Sequence, residues 1–432
     1  MESLLVSELN LESPIDDSKS DTSRKDGESD TSTLVYGQEA FETFKDKVPI
    51  LVRQVLSTSD DQGIEVERTR GGGYNRITAF RVIHKATDEN AAREEKYILR
   101  VPRWDERPIL GHVLLLEFLK KCFKIPVPDT IAYDITDKNV IESPYMIQRF
   151  IEGRSLLEGY LELGFKQRCQ VAKQLGDVYA ALSKIRSQHI GKLGHFGDVE
   201  SYEPSSPNQY AIHAMEDTST PQSWPYDDSL LFPKTSTLLS TIFEYRNSVA
   251  VAETPIDDFR SEYNTAFMKV AEEMDQAGLF KDVALSLCHL DFEPRNMLLI
   301  AENDSAHISA ILDWDSATFA PMFVACKPPS WLWAWNSDDD EDELQANDEP
   351  ESPENQEIKR IFEEAAGPES ARFAYNPAYR LARSLVKLGF FDLSYNEDIK
   401  EVDAMLEEWT KLKVSYSVTE ETVPEQSAPA DS

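Results

Sequence analysis

Residues 297–301 (Met-Leu-Leu-Ile-Ala) and 308–312 (Ile-Ser-Ala-Ile-Leu) are apolar runs of equal length on either side of the turn-forming Asn303, Asp304 and Ser305. Such a pattern predicts two strands of a hairpin. Antiparallel neighbours lie about 4.8 Å apart, so Asn296, entering the first strand, and Asp313, leaving the second, are predicted side by side at the hairpin's open end. One oxygen from each is enough to hold a single hard cation. Asp291 lies five positions before Asn296, on a loop that reaches the same space. It contributes a carboxylate that need not bind metal and is able to orient a hydroxyl. The combination suits phosphoryl transfer.

A chain of 432 residues exceeds what one hydrophobic core usually serves, which predicts two domains or lobes. Apolar residues make up 41%, sufficient for a substantial core. Lys and Arg number 44 against 78 Asp and Glu, a formal net charge of -34. That surface repels nucleic acid and anionic lipid, so neither is an expected partner, and it attracts cationic ones. Cys122, Cys169, Cys288 and Cys326 are far apart without C-x-x-C spacing. They read as reduced thiols of a cytoplasmic protein, with Cys122 and Cys288 on apolar faces. The start of the chain lacks a basic segment followed by an apolar one, and no run of apolar residues is long enough to span a bilayer. Neither secretion nor membrane insertion is expected.

Residues 1–34 form a polar tail poor in apolar side chains, for which disorder is expected. Phe41, Phe44, Val48, Leu51, Val52 and Val55 recur at helical spacing, in a helix strained or bent at Pro49. Strands are predicted at residues 64–66, 77–83, 97–101 and 145–151, with Gly71, Gly72 and Gly73 between the first two. Leu114, Leu115, Phe118, Leu119 and Cys122 mark a helical face between them. Beyond residue 151 the chain reads as mostly helical: Val171, Leu175, Val178 and Leu182 mark one face, Phe259, Tyr263, Phe267, Val270 and Met274 another. Late helices are predicted at 381–390 and 399–409. The division is therefore a β-rich lobe at 35–146, a helical lobe at 147–415 and a polar tail at 416–432. Residues 337–357, acidic and interrupted by Pro350 and Pro353, read as a flexible insertion.

The motifs occur in a recognisable order. Gly72-Gly73-Tyr74-Asn75-Arg76 is followed by Tyr97-Ile98-Leu99-Arg100-Val101, Ile125-Pro126-Val127-Pro128, Glu152-Gly153-Arg154, the His289 to Asn296 run, Asp313-Trp314-Asp315, and Pro328-Pro329-Ser330-Trp331. In this the chain resembles the aminoglycoside phosphotransferase-like kinases, in particular a fungal branch of uncharacterised members, over roughly residues 36 to 415. The resemblance implies an α+β, bilobal protein-kinase-like fold and an ATP- and magnesium-dependent phosphotransferase. The acceptor would be a hydroxyl of a small polar metabolite, cationic or amine-bearing as one option. It also implies Asp291 as catalytic base, Asn296 and Asp313 as magnesium ligands with Asp315 auxiliary, and Gly72, Gly73, Tyr74, Asn75, Arg100, Gln148 and Phe150 around ATP.

Two departures stand out. Arg100 occupies the position where related kinases carry a lysine, keeping the charge but presenting a planar fork. The usual helix glutamate position falls at His112, with Glu106 and Glu117 the nearest carboxylates. These departures leave a pseudokinase that binds nucleotide or a partner protein as the alternative. A protein kinase is disfavoured, since no Ala-Pro-Glu segment follows Asp313. His289 reads as a structural anchor of its loop, and Asp315 equally as a cap or ion-pair partner. Trp331, Trp333 and Trp335 read as an extended stretch packing on one face.

Overall fold

Alternation builds the first unit. β2 (Asn75–His84) and β3 (Arg93–Pro102) bury every second residue, Thr78, Phe80 and Val82 on one and Tyr97, Leu99 and Val101 on the other, because successive side chains of a strand point to opposite faces. With β1 (Gly63–Arg68), β4 (Thr130–Asp134) and β5 (Tyr145–Arg149) they form an antiparallel sheet of order β1-β2-β3-β5-β4. The buried row joins one core with Phe44, Val48, Leu51 and Val52 of helix α1 (Phe41–Leu56), which continues through Pro49. The computed structural model describes residues 36–59, 62–69, 74–86, 91–103, 109–187, 190–195, 210–213, 234–253, 259–335, 343–391 and 396–417. The expected tails fall outside these residues apart from 416–417.

The chain divides into two compact units, passing from one to the other at Phe150 and Ile151, and the second also takes Leu114–Val127. Helix α2 (Ile109–Phe118) begins in the first and ends in the second. The second unit is mainly helical: α3 (Phe165–Leu182), α4 (Thr235–Glu253), α5 (Phe259–Gln276), α6 (Pro353–Ala374), α7 (Pro377–Phe391) and α8 (Asn396–Ser417). Its core is made by Phe243, Phe267, Met274, Phe323, Leu385 and Trp409. The class is α+β, β-rich first and helical second. No helix among the described residues is long and apolar enough to cross a membrane.

Helix α3 is the platform on which a β-hairpin rests. It packs on α6 at Gly176, where an added Cβ would come 2.6 Å from Ala365 Cβ and 2.7 Å from the Phe362 carbonyl oxygen; only glycine permits that approach. On α3, Gln170 and Gln174 are one turn apart and meet the outer edge of β12 (Ser305–Ile311). The Gln170 Oε1 accepts from Ala306 N at 2.7 Å, and Gln174 accepts from Ile308 N at 3.1 Å while donating to Ala306 O at 3.0 Å. Side-chain amides thus satisfy backbone groups that an edge strand leaves open. Beside β12 lies β11 (Met297–Glu302), then the short β6 (Arg154–Ser155). A second small sheet sets β10 (Leu285–Cys288) between β13 (Thr318–Pro321) and β7 (Arg186–Ser187), and β8 (Lys192–His195) pairs with β9 (Tyr210–His213).

Several expectations change. Of the insertion at 337–357, residues 337–342 lie outside the described set, but Glu343–Asn347 form a 3-10 turn and Pro353 opens α6 with Ser352 Oγ accepting from Asn355 N at 3.1 Å. A proline at the first helical position marks a helix start, since its missing N–H has no partner there anyway. Cys122 is exposed, whereas Cys288 and Cys326 are buried. A π-turn over Leu119–Phe123 adds a residue to the turn and rotates Cys122 off the apolar face. Trp331 and Trp333 are buried, but Trp331 lies in a 3-10 turn at Ser330–Leu332 and Trp333 directly follows it, rather than both lying in an extended stretch. Trp331 and Trp335 both pack on Tyr160, with ring centroids 5.4 and 5.3 Å away; Trp333 turns to Phe362 at 6.0 Å.

The buried Arg383 of α7 ties this region down. It donates to the carbonyls of Phe323, Phe373 and Ala374 at 3.2, 3.0 and 3.1 Å and pairs with Glu343. Arg383→Met leaves buried carbonyls without donors and Glu343 without its cation. It is expected to lower the unfolding free energy by about 3 kcal/mol, measurable as a reduced urea midpoint.

Candidate active site

The hairpin forms as its pattern requires, in a slightly different place. β11 and β12 pair from Met297 with Ile311 to Glu302 with Ser305, so the turn is Asn303 and Asp304 alone, with Asn303 at φ 51°. At the open end Leu312 N donates to Asn296 O at 2.7 Å. That bond joins the residue before β11 to the residue before Asp313, bringing the two predicted ligands together in the backbone. The Ile311 N bond to Pro126 O, 2.7 Å, pins the 125–128 run to the same strand.

β10 delivers the loop that holds Asp291. His289, next after β10, is 3% exposed. Its Nδ1 accepts from Asp291 N at 3.3 Å, and its Nε2 donates to Leu312 O at 2.8 Å, so one neutral tautomer satisfies both bonds. The ring lies against Trp314 and Phe292, with centroids 4.4 and 5.4 Å away. The imidazole therefore bolts the loop to the hairpin, as a structural anchor. Burial pushes its pKa down to about 4, outweighing the Leu312 carbonyl and the carboxylates of Asp291, Asp315 and Glu293, which favour the cation.

The unfolded chain takes up a proton as the pH falls through about 6.5, while the folded chain resists until about 4. The stability contributed is thus complete above the upper value and is lost toward the lower one, about 3 kcal/mol in all. Urea unfolding of wild type and His289→Gln between neutral pH and about pH 4.5 checks it, the variant showing the flatter dependence.

Asp291 has both carboxylate oxygens engaged. Asn296 Nδ2 donates to Oδ2 at 2.8 Å and to the Asp291 carbonyl at 2.9 Å, and Arg295 Nη2 donates to Oδ1. The Asp291 side chain is still about a third exposed, at 34%, and so reachable. With the Asn296 nitrogen committed to Asp291, the amide oxygen is the atom of the group suited to a cation. Two residues here hold left-handed backbone without being glycine, Leu290 at φ 65° and Asp313 at φ 59°. Both flank the loop and hairpin junction, where strain of this kind concentrates at functional sites. Asp315 sits in the 3-10 turn Trp314–Ser316.

Sequence reasoning missed two contacts. Lys327 Nζ meets Glu293 Oε1 at 2.9 Å, and Ser155 Oγ lies 3.5 and 3.4 Å from the carbonyls of Pro294 and Arg295. Neither is readable from spacing, since both partners are distant in sequence. The i,i+4 separation of Asp291 and Arg295 is the one signal of this kind that the letters carried.

Among the described residues no group of three or more His, Cys, Asp or Glu is arranged to hold a metal. An Asn and an Asp at one hairpin mouth are a smaller donor set, all oxygen, and match what magnesium takes from protein while keeping waters and phosphates.

The other predicted residues lie in the first unit. Register pairs Ile77 with Arg100, Ile98 with Gln148 and Arg100 with Met146, so Arg100 and Gln148 share the sheet face away from α1. Gln148 is 4% exposed and its Nε2 finds no hydrogen-bond partner among the described residues, a buried donor suited to a ligand acceptor. Phe150 N donates to Lys96 O at 3.0 Å. Tyr74 is exposed and Asn75 opens β2 opposite Pro102, whereas Gly72 and Gly73 lie outside the described residues. Glu117 pairs with Lys121 at 3.0 Å.

With this geometry in view, comparison with known proteins is decisive at one point. The model of the phosphotransferase enzyme family, APH, matches residues 79–349, more than half of the chain. The chain belongs to this phosphotransferase family. The matched span contains Arg100, Gln148, Phe150, Asp291, Asn296, Asp313 and Asp315. A subtelomeric hrmA-associated cluster protein of Aspergillus fumigatus is 24% identical over 144 residues, covering 32% of this chain and 26% of that protein. Altered inheritance of mitochondria protein 9 of Clavispora lusitaniae is 23% identical over 195 residues, covering 42% and 30%. The chain thus spans less than a third of the length of these curated relatives. Among solved structures, aminoglycoside phosphotransferase APH(2'')-Ib with ADP bound is 15% identical with a TM-score of 0.47, covering 84% of this chain and 96% of that one. A thermostable mutant of APH(4)-Ia with AMP-PNP and hygromycin B is 18% identical with a TM-score of 0.44, covering 86% and 99%.

Proposed function

We propose that this phosphotransferase moves the γ-phosphoryl group of ATP to a hydroxyl of a small polar metabolite, with magnesium. The observation that carries the reading is the Asp291 carboxylate held by Asn296 at 2.8 Å beside the hairpin mouth that also bears Asp313. Asp291 orients the acceptor hydroxyl and takes its proton. The acceptor oxygen bonds to phosphorus as the bond from the γ-phosphorus to its bridging oxygen breaks, leaving ADP. The Asn296 amide oxygen and the Asp313 carboxylate would hold magnesium, with Asp315 auxiliary. When bound, the ion offsets the phosphate charge. Arg100 would contact the phosphates, Gln148 would donate to the nucleotide, and Gly72, Gly73, Tyr74, Asn75 and Phe150 would complete its surroundings. A net charge of -34 favours capture of an amine-bearing acceptor from solution.

The test is an ATP-dependent mass-shift screen of a metabolite extract with wild type and Asp313→Ala. A phosphorylated product formed by wild type alone is expected; none from either protein would sink the reading. One observation favours a second reading, a pseudokinase that binds nucleotide or protein: Arg295 already occupies Asp291. Under that reading ATP raises the thermal midpoint in a magnesium-dependent way, with no turnover.

A further inference from the structure

We infer that Arg295 sets the charge tolerated next to the reacting hydroxyl. The site takes acceptors whose phosphorylated hydroxyl neighbours a carboxylate, a phosphate or an uncharged group, and turns away those with an ammonium there. The inference rests on the kinase reading and narrows it.

Arg295 reaches Asp291 from a short, fixed stretch of chain. It lies in the 3-10 turn Pro294–Asn296, closed by Asn296 N donating to Glu293 O at 3.0 Å, with Ser155 Oγ beside the Pro294 and Arg295 carbonyls. The guanidinium is therefore delivered to the carboxylate by local geometry. While paired, the Arg295 side chain is still 55% exposed. A guanidinium has five N–H donors, so one oxygen of Asp291 leaves donors facing solvent beside the carboxylate that would orient the acceptor hydroxyl. Those donors suit a carboxylate or phosphate, which a planar fork binds through two parallel bonds.

The same arrangement penalises a cation. An ammonium next to the reacting hydroxyl would have to share Asp291 with a fixed positive charge, and like-charge repulsion grows as water leaves the site. The loop's other carboxylate gives no refuge, because Glu293 is paired with Lys327 at 2.9 Å. Each acid of the loop already carries a cation supplied by the chain. An amine elsewhere on the acceptor is compatible with this, because the effect is local to the hydroxyl.

The experiment uses the full chain and products found by mass-shift screening with ATP. Each product's hydroxyl is assigned, and KM and kcat are then measured for wild type, Arg295→Gln and Arg295→Lys. The expected wild-type products carry an anionic or neutral group beside the phosphorylated position. Arg295→Gln should raise KM for anionic acceptors by about 10- to 100-fold with a smaller change in kcat, and should admit amino alcohols such as 2-aminoethanol as substrates. Arg295→Lys should recover most of the KM, since it keeps the charge. Wild-type products with an ammonium beside the reacting hydroxyl, or an Arg295→Gln variant with unchanged acceptor preference, would overturn the inference and leave the kinase reading standing. If wild type forms no product, the kinase reading fails and takes this inference with it.

Discussion

Asp291→Asn is expected to lower phosphoryl transfer by about 100- to 10,000-fold, the range associated with losing a positioned general base. The substitution keeps the size and shape of the side chain but removes its capacity to take a proton. It also breaks a matched set: the carboxylate accepts from Asn296 at one oxygen and from Arg295 at the other. An amide in its place has one acceptor and presents a donor to one of those partners, so a stability loss of about 1 kcal/mol accompanies the loss of activity. Turnover and the thermal midpoint, measured on the same preparation, separate the two effects. Wild-type turnover in a folded Asp291→Asn protein removes Asp291 from the chemistry.

The second large effect is at Asp313. Asp313→Ala is expected to reduce transfer at least about 100-fold, because the charge stabilisation that a metal supplies is worth several kcal/mol. It should also abolish the magnesium-dependent rise in thermal midpoint that ATP produces. Alanine brings a separate penalty, since Asp313 sits at φ 59°, a left-handed conformation that aspartate and asparagine enter more readily than alanine because their short polar side chains bond locally to the backbone. Asp313→Asn is the control, for asparagine tolerates that backbone and keeps an oxygen donor while losing the charge. It should fold like wild type, yet respond to magnesium more weakly. An unaltered magnesium response in both variants would falsify the assignment of Asp313 as a ligand.

Much of this was legible from residue order. The face of α3 reads directly from Val171, Leu175, Val178 and Leu182, all buried, and the alternation in β2 and β3 is as plain. Helix α6 was not legible. Its buried residues Ile358, Phe362 and Ala366 have helical spacing but lie among acidic residues, and the backbone kinks at Gly367, at φ 83° and ψ 176°, before Pro368, with Ser370 and Phe373 buried beyond the kink. Composition and breakers therefore masked a helix held by packing on α3, since tertiary contact supplies most helical stability in proteins. Cys122 failed for a related reason: a face read at 3.6 residues per turn does not survive a π-turn. Two-residue strands such as β6 and β7 leave no periodicity to read.

The active-site residues show where that line falls. Residue order by itself determined that a hairpin ends at Asn296 and Asp313, and that an acidic residue precedes it on a connected loop, because strand alternation and turn chemistry are local properties of the chain. Only the tertiary structure decided what those groups touch. The imidazole of His289 became a neutral bolt between loop and hairpin because folding stripped water from it on every side. Asp291 acquired Arg295, and Glu293 acquired Lys327, because backbone turns and strand pairing set their separations. Local sequence specifies which chemical groups are present; burial and distance, which only the folded chain fixes, specify their charge state and their partners.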